Sequence, residues 1–330
     1  MNSSIFHKMV VSFAIIMACS YSSMAFCLTP GEIKKLRKET KEAASNSQIG
    51  AIYGHIISFV SVPDISASNL EIDTGVNTET LDVFKVPLHY RLETNSDTWG
   101  LTLRGNLNYA SFKDDDAVLT VPEGDNISAE WDTYSGSVGA MAEFPLGAGF
   151  SFALAGDLGI ARFENTADYT GTFTKTNLEP VLDGILFGWE TNASYINAML
   201  GLNFEHVVNQ YEIDIKARYS HAYIDSFGES KDFSGFSEST DTLTINTEFG
   251  HPLGLAISGN PLSGVLHLDH TTFIGPDRDL TGFSYLSGIG FSIKADVSSN
   301  DWHVESLQFG AKYLTGDNVR GWSLIFGYRF

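Results

Sequence analysis

Trp322-Ser323-Leu324-Ile325-Phe326-Gly327-Tyr328-Arg329-Phe330 closes the chain. Its even positions, Trp322, Leu324, Phe326, Tyr328 and Phe330, are all aromatic or aliphatic, whereas Ser323, Gly327 and Arg329 between them are small or polar. A period of two puts each set on its own face of a strand. The pattern recurs upstream with charge on the second face. Leu101, Leu103, Leu107 and Tyr109 alternate with Thr102, Arg104, Asn106 and Asn108. Tyr211, Ile213, Ile215, Ala217 and Tyr219 alternate with Glu212, Asp214, Lys216, Arg218 and Ser220. Phe84, Val86, Leu88, Tyr90 and Leu92 oppose Lys85, His89, Arg91 and Glu93. A water-soluble sheet would cover its apolar face with a second layer. Strand after strand with one apolar and one charged face instead predicts a barrel with lipid outside and a wet interior. Trp99, Tyr109, Tyr219, Phe249 and Tyr313 near strand ends suit an interfacial girdle. The expected fold is therefore all-β, a transmembrane antiparallel up-and-down β-barrel.

Composition agrees. Twenty-three Phe, 13 Tyr and 31 Gly in 330 residues favour strands and turns over helices. Asp+Glu outnumber Lys+Arg by 40 to 20, a net charge of −20, so no nucleic-acid partner is expected. Two cysteines, Cys19 and Cys27, exclude a disulfide scaffold and a cysteine zinc site.

The beginning of the chain reads differently. Lys8 precedes the apolar run Met9 to Ala18, and Ser23 and Ala25 form a small-residue cleavage site. Residues 1–25 are read as a signal peptide, with Phe26 as the first mature residue. A competing reading lipidates Cys19 after Ile16-Met17-Ala18, although Met in the middle is atypical of that motif. Thr29-Pro30-Gly31-Glu32 then carries helix-start chemistry: a Thr cap, Pro in the first turn, and Glu three residues after the cap. Within residues 26–47 the helix bears Lys34, Lys35, Arg37, Lys38 and Lys41 against Glu32, Glu39 and Glu42, a net of +2 on an acidic chain. At ~1.5 Å per residue, residues 30–45 span about 24 Å, close to the ~25 Å apolar band of such barrels. The helix is expected to plug the lumen, its cations meeting Glu93, Asp157, Glu205, Glu212, Asp214 and Glu248; the plain alternative is a solvated periplasmic helix.

The barrel is placed over residues 48–330 with twelve strands, near 49–62, 80–93, 99–113, 127–144, 150–164, 194–206, 210–223, 239–250, 263–275, 284–296, 303–314 and 319–330. An even count suits a bacterial single-chain barrel, and long connections mostly alternate with short ones, as outer loops alternate with periplasmic turns. Two stretches depart from that alternation. Residues 251–262 are long for a periplasmic turn, and 315–318 are short for an outer loop.

Chemistry is sparse. His267-Leu268-Asp269-His270 puts His267 and Asp269 on one face of the ninth strand, but polar residues facing a hydrated lumen need no catalytic role, and no partner nucleophile stands out. No catalytic residue, metal or cofactor is assigned. Lys113-Asp114-Asp115-Asp116 with Glu123 and Asp125 offers oxygen ligands for a hard cation, yet fits no calcium-loop spacing and reads as a solvated loop tip.

Phe326, Tyr328 and Phe330 at alternating positions look like the C-terminal signal by which outer-membrane barrels are recognised for insertion. Twelve strands, a charged helix before the first of them and a Tyr-Arg-Phe ending resemble the β-domain of autotransporters, and in particular the solitary autotransporter-like barrels, since no passenger lies between signal and helix. That resemblance implies the outer membrane of a Gram-negative bacterium, a helix-threaded lumen, contact with outer-membrane lipid and lipopolysaccharide, and insertion by the barrel-assembly machinery. A monomer with a pore closed by the helix is the expected state. An outer-membrane lipid hydrolase and an open small-solute channel are the alternatives.

Overall fold

The structure, a computed structural model, describes residues 28–45, 54, 56–57, 67–75, 77–92, 94, 96, 98–117, 121–228, 232–275, 278, 282–298 and 305–329. The expected signal peptide, Cys19, Cys27, Glu93 and Phe330 lie outside the described residues.

Helix α1 (Pro30–Ser45) precedes β1 (Ala67–Asp73), β2 (Thr78–Leu92), β3 (Gly100–Asp114), β4 (Asn126–Gly147), β5 (Phe150–Thr170), β6 (Glu190–Val208), β7 (Tyr211–Phe227), β8 (Ser237–Ile257), β9 (Asn260–Ile274), β10 (Tyr285–Asp296), β11 (Ser306–Gly316) and β12 (Val319–Arg329). Each strand pairs antiparallel with its sequence neighbours, and β1 pairs with β12 to close the barrel. Between β5 and β6 a short π-helix (Thr174–Leu178) runs into α2 (Glu179–Leu182). No described helix is long and apolar enough to cross a membrane.

Two-residue hairpins at 148–149, 209–210 and 258–259 mark one end, and the connections 171–189 and 228–236 mark the other, the outer end on the usual asymmetry of such barrels. The odd stretches of sequence resolve here. Residues 251–262 are no loop: β8 runs to Ile257 and turns through Ser258 and Gly259 alone. Both have positive φ, 53° and 88°, the geometry that matches a tight hairpin to strand twist. Residues 315–318 shrink to a turn at Asp317 and Asn318 between β11 and β12.

The first strand was misplaced by the sequence pattern. It lies at Ala67–Asp73 rather than 49–62, and the expected long loop 63–79 becomes the tight connection 74–77. Of the stretch expected to be a strand, Gly54, Ile56 and Ile57 are described, and they are helical. Ile56 and Ile57 are buried in the core cluster, and Thr240 Oγ1 on β8 donates to the Gly54 carbonyl at 3.4 Å. An apolar stretch can therefore be interior chain as readily as wall, and alternation alone does not separate the two.

The outward face is apolar across its middle band. Leu107, Val138, Leu158, Ile160, Ile196, Phe309, Trp322, Leu324 and Phe326 are each more than half exposed. From Tyr134 to Phe144 on β4, at ~3.4 Å per residue and a tilt of about 40°, the wall rises roughly 26 Å, the height of a bilayer's apolar band. Aromatic pairs mark both rims, Tyr109 with Tyr134 and Tyr313 with Trp322 towards the outer end, Phe150 with Phe204 at the other. Inward positions on the same strands are polar and buried, among them Asn108, Asp157, Asn197, Thr244, His267 and Lys312.

Candidate functional site

The lumen has two zones of opposite character. Towards the outer end, wall residues Leu70, Ile72, Leu81, Val83, Ile127, Trp131, Phe163, Leu314 and Val319 form one apolar cluster with Val181, Leu182, Ile185, Phe187 and Trp189 of the β5–β6 connection. Phe187 packs its ring 6.2 Å from that of Trp131, and Trp189 stacks on Phe233 of the β7–β8 connection at 4.0 Å. Backbone bonds fasten the connection to the wall: Asn165 N donates to Trp189 O at 2.8 Å and Gly188 N to Asn165 Oδ1 at 2.8 Å. The sequence did carry a signal for this. Val181 to Trp189 is too apolar for a solvated loop, since exposed loops are ordinarily polar.

Helix α1 lies against this cluster and the β5–β6 connection. Its start is the capping box expected from sequence: Thr29 N and Oγ1 donate to Glu32 Oε2 at 2.8 and 2.6 Å, which holds the exposed Glu32 carboxyl below its usual range. Leu28, Ile33, Leu36 and Ala44 pack on the apolar cluster. Leu28 N donates to Asn177 Oδ1 at 3.1 Å, and Arg37 Nη1 to the carbonyls of Pro180 and Asp183 at 2.9 and 3.0 Å. Arg37 Nη2 and Lys41 Nζ both bind Asp232 of the β7–β8 connection, at 2.8 and 3.3 Å. Those two bonds, Arg37 first, hold the Asp232 carboxyl below its usual range. Lys35 and Lys38 pair along the helix with Glu39 and Glu42, and Lys34 is exposed.

The expected pairing of these cations with lumen carboxylates is thus replaced by a contact with outer connections. The physical reason is that most of the described lumen acids already have partners. Arg104 meets Asp157 at 3.5 Å, Lys216 meets Asp214 at 2.7 Å, Lys312 meets Asp269 at 2.5 Å, and Lys294 pairs with Glu212. A balanced interior offers an additional cation no compensation for its desolvation.

The second zone is a cavity of about 970 Å³ towards the short-turn end. Its walls mix both signs, with Arg91, Lys216, Arg218 and Lys294 facing Glu143, Glu205, Glu212 and Glu305. His267 lies on its wall, buried, with Nδ1 3.4 Å from Glu248 Oε1. Asp269 binds Lys312 instead of joining His267, and His270 faces outward and bonds Ser287. The pair read together in sequence is therefore split between two networks.

The acidic loop has structural uses for its oxygens. Asp114 Oδ1 accepts from Asn77 Nδ2 and Asp116 N at 2.8 and 3.0 Å, and Asp125 Oδ1 accepts from Thr174 N at 3.0 Å. Among the described residues no His, Cys, Asp and Glu group is arranged to hold a metal ion. At the chain end, Phe326 points to the lipid side and Tyr328 Oη donates to the Pro87 carbonyl at 2.6 Å.

Among solved structures, the β-domain of the Bordetella autotransporter BrkA aligns with a TM-score of 0.50 and 16% identity, covering 80% of this chain and 95% of that one. The transport unit of AIDA-I from Escherichia coli aligns at 0.49 and 14%, over 81% and 89%. The NalP translocator domain from Neisseria meningitidis aligns at 0.46 and 12%, over 88% and 97%. No curated protein matches the chain. The family model for the solitary outer membrane autotransporter beta-barrel domain matches residues 65–330. The match covers the whole of the closed twelve-stranded wall, and the chain belongs to this family of Gram-negative outer-membrane barrels.

Proposed function

We propose that this protein is an autotransporter-type outer-membrane barrel kept closed at its outer mouth, a sealed wall element and not a diffusion channel. One observation carries the reading: Val181, Ile185, Phe187 and Trp189 of the β5–β6 connection are buried against Trp131, Phe163 and Ile57 in a single apolar cluster. A dry plug of this kind resists water and ions, because each buried aromatic gains about 1.5–3 kcal/mol from staying out of water. Helix α1 covers the plug from outside, so the closing role expected of the helix is shared with the connection beneath it. Residues 1–25 serve as the export signal and 26–47 as the cover segment. The surrounding partners are outer-membrane lipid and lipopolysaccharide, and Phe326, Tyr328 and Phe330 are the end the assembly machinery reads. The barrel acts as a monomer, since closure leaves its sheet no free edge.

Planar-bilayer recording separates this from an open channel. The full chain should conduct little, deletion of residues 30–46 should add brief openings, and replacement of residues 178–187 by a short Gly-Ser linker should give a stable pore. A stable open pore in the unaltered chain would sink the reading. Unchanged conductance in the linker variant would move the closure elsewhere.

A further inference from the structure

Strand register assembles a group of side chains on the lumen wall that are far apart in sequence. Glu248 of β8 stands directly opposite His267 of β9, and His267 stands opposite Gly290 of β10. Gly290 leaves the wall bare there: a Cβ would lie 2.7 Å from the Ala311 carbonyl and 2.8 Å from Lys312 Cβ. The next inward residue of β10, Ser292, reaches His267 instead, with Oγ 2.8 Å from Nε2. On the other side of the ring, His267 Nδ1 is 3.4 Å from Glu248 Oε1. Gln308 of β11 donates from Nε2 to Ser292 Oγ at 2.7 Å and lies 3.0 Å from His267 Nε2.

A proton on Nδ1 facing the Glu248 carboxylate leaves Nε2 free to accept from the Ser292 hydroxyl. Carboxylate, imidazole and hydroxyl in that order form the arrangement that activates a serine, and it is recognised by geometry, not by fold or sequence position. Gln308 supplies a neutral N–H beside the nucleophile, where charge would gather on an attacked carbonyl oxygen.

We propose that Ser292, His267 and Glu248 form an acyl-ester hydrolase site served by the lumen cavity, with Ser292 as nucleophile, His267 as base and Glu248 as positioning residue. Ser292 Oγ bonds to the ester carbonyl carbon while its proton passes to His267 Nε2. The tetrahedral oxyanion collapses, the ester C–O bond breaks, and the alcohol leaves with the proton from His267. Water then gives a proton to His267 as its oxygen attacks the acyl-serine. Collapse releases the carboxylic acid and returns the proton to Ser292 Oγ. Water is the sole co-reactant, and no redox change occurs.

The surroundings choose the substrate class. The site faces the lumen, while Leu266, Leu268, Phe291 and Ile293 on the same strands face lipid. The cavity beside it carries charges of both signs. A small, polar acyl ester entering from the short-turn end fits, and a phospholipid in the bilayer does not. His267 and Gln308 line the cavity and Ser292 is almost wholly buried behind them, so the Gln308 N–H must swing from Ser292 Oγ onto the carbonyl oxygen as the acyl group arrives. The site does not depend on whether the outer mouth is closed.

The full chain, folded in detergent and checked by heat-modifiable electrophoretic mobility, is treated with diisopropyl fluorophosphate, and the adduct is located by peptide mass. One adduct on Ser292 is expected, absent in Ser292→Ala and formed roughly tenfold or more slowly in His267→Gln. Glu248→Gln should slow it as well, and Glu248→Asp should regain part of the loss with mobility unchanged in both. Hydrolysis of p-nitrophenyl acetate should follow the same ranking, with phospholipid vesicles left intact. A folded chain that stays unlabelled, or an adduct mapped to another serine, overturns the proposal. The adduct position in the unaltered chain decides the matter even if Ser292→Ala fails to fold.

Discussion

Asp232 shows how much of the outer closure hangs on single contacts. Its two carboxylate oxygens bind Arg37 and Lys41 of α1, and nothing in the sequence marks it out among the chain's forty acids. Exposed ion pairs are worth about 0.2–1 kcal/mol, and this carboxylate is half exposed, so the latch is weak and reversible. Asp232→Asn should lower amide-exchange protection over residues 36–40 by up to about fivefold at neutral pH. The pH dependence has a definite sign. A carboxyl whose folded pKa is depressed stabilises above its unfolded value, about 3.9, and loses that contribution as pH falls through the lower folded value. Protection of α1, corrected for intrinsic exchange, should hold from neutral pH to about pH 4 and decline below it, and that decline should shrink in Asp232→Asn to the part that comes from the Glu32 cap. The capping box at Thr29 and Glu32 was legible because its partners are three residues apart. The partnership of Arg37 with Asp232 spans 195 positions and could be seen only in the folded chain.

Elements were legible where alternation was long and bounded by turns. β3, β7 and β12 lie where their two-residue period put them. Misreadings arose where strands ran past the bilayer. β8 continues through His251, Pro252 and Gly254 to Ile257, across a register shift between Pro252 and Leu255, and a Pro-Gly-containing stretch imitates a loop. Its hairpin offers a clean measurement. Gly259 has φ +88° and no atom within 4 Å of where a Cβ would be, so substitution there tests backbone strain alone. Gly259→Val should destabilise the refolded barrel by about 1–2 kcal/mol in urea titration, and Gly259→Asn by clearly less, because Asn tolerates positive φ. Equal losses in both would point to a cause other than strain. Helix α1 was legible as a helix and illegible as to place. Its sparse apolar side, Ile33, Leu36 and Ala44, found with Leu28 just before it the loop cluster, a surface made by residues about 150 positions away.

At the scale of the whole molecule, closure depends on β1, whose seven residues all pair with β2 and six of them with β12. Leu70 and Ile72 are fully buried at this seam, where the first and last strands meet. Leu70→Ala should cost about 2–5 kcal/mol, seen as a lower temperature for the shift in electrophoretic mobility on heating. Leu70→Asp should prevent the heat-modifiable form altogether, since it places an unpaired charge inside the apolar cluster. Survival of the barrel in the Asp variant would mean that β1 is dispensable for closure. The sequence by itself determined the barrel, eleven of its twelve strands, which face of most of them meets lipid, and the capped helix, because period-two alternation and capping act over a few residues. Only the tertiary structure decided where the first strand begins, that the β5–β6 connection packs with the wall and with α1 in one apolar cluster, and that Glu248, His267 and Ser292 come together on the lumen wall. Those outcomes rest on cross-strand register and on contacts between distant segments, which are fixed when the sheet closes and leave no local periodicity to read.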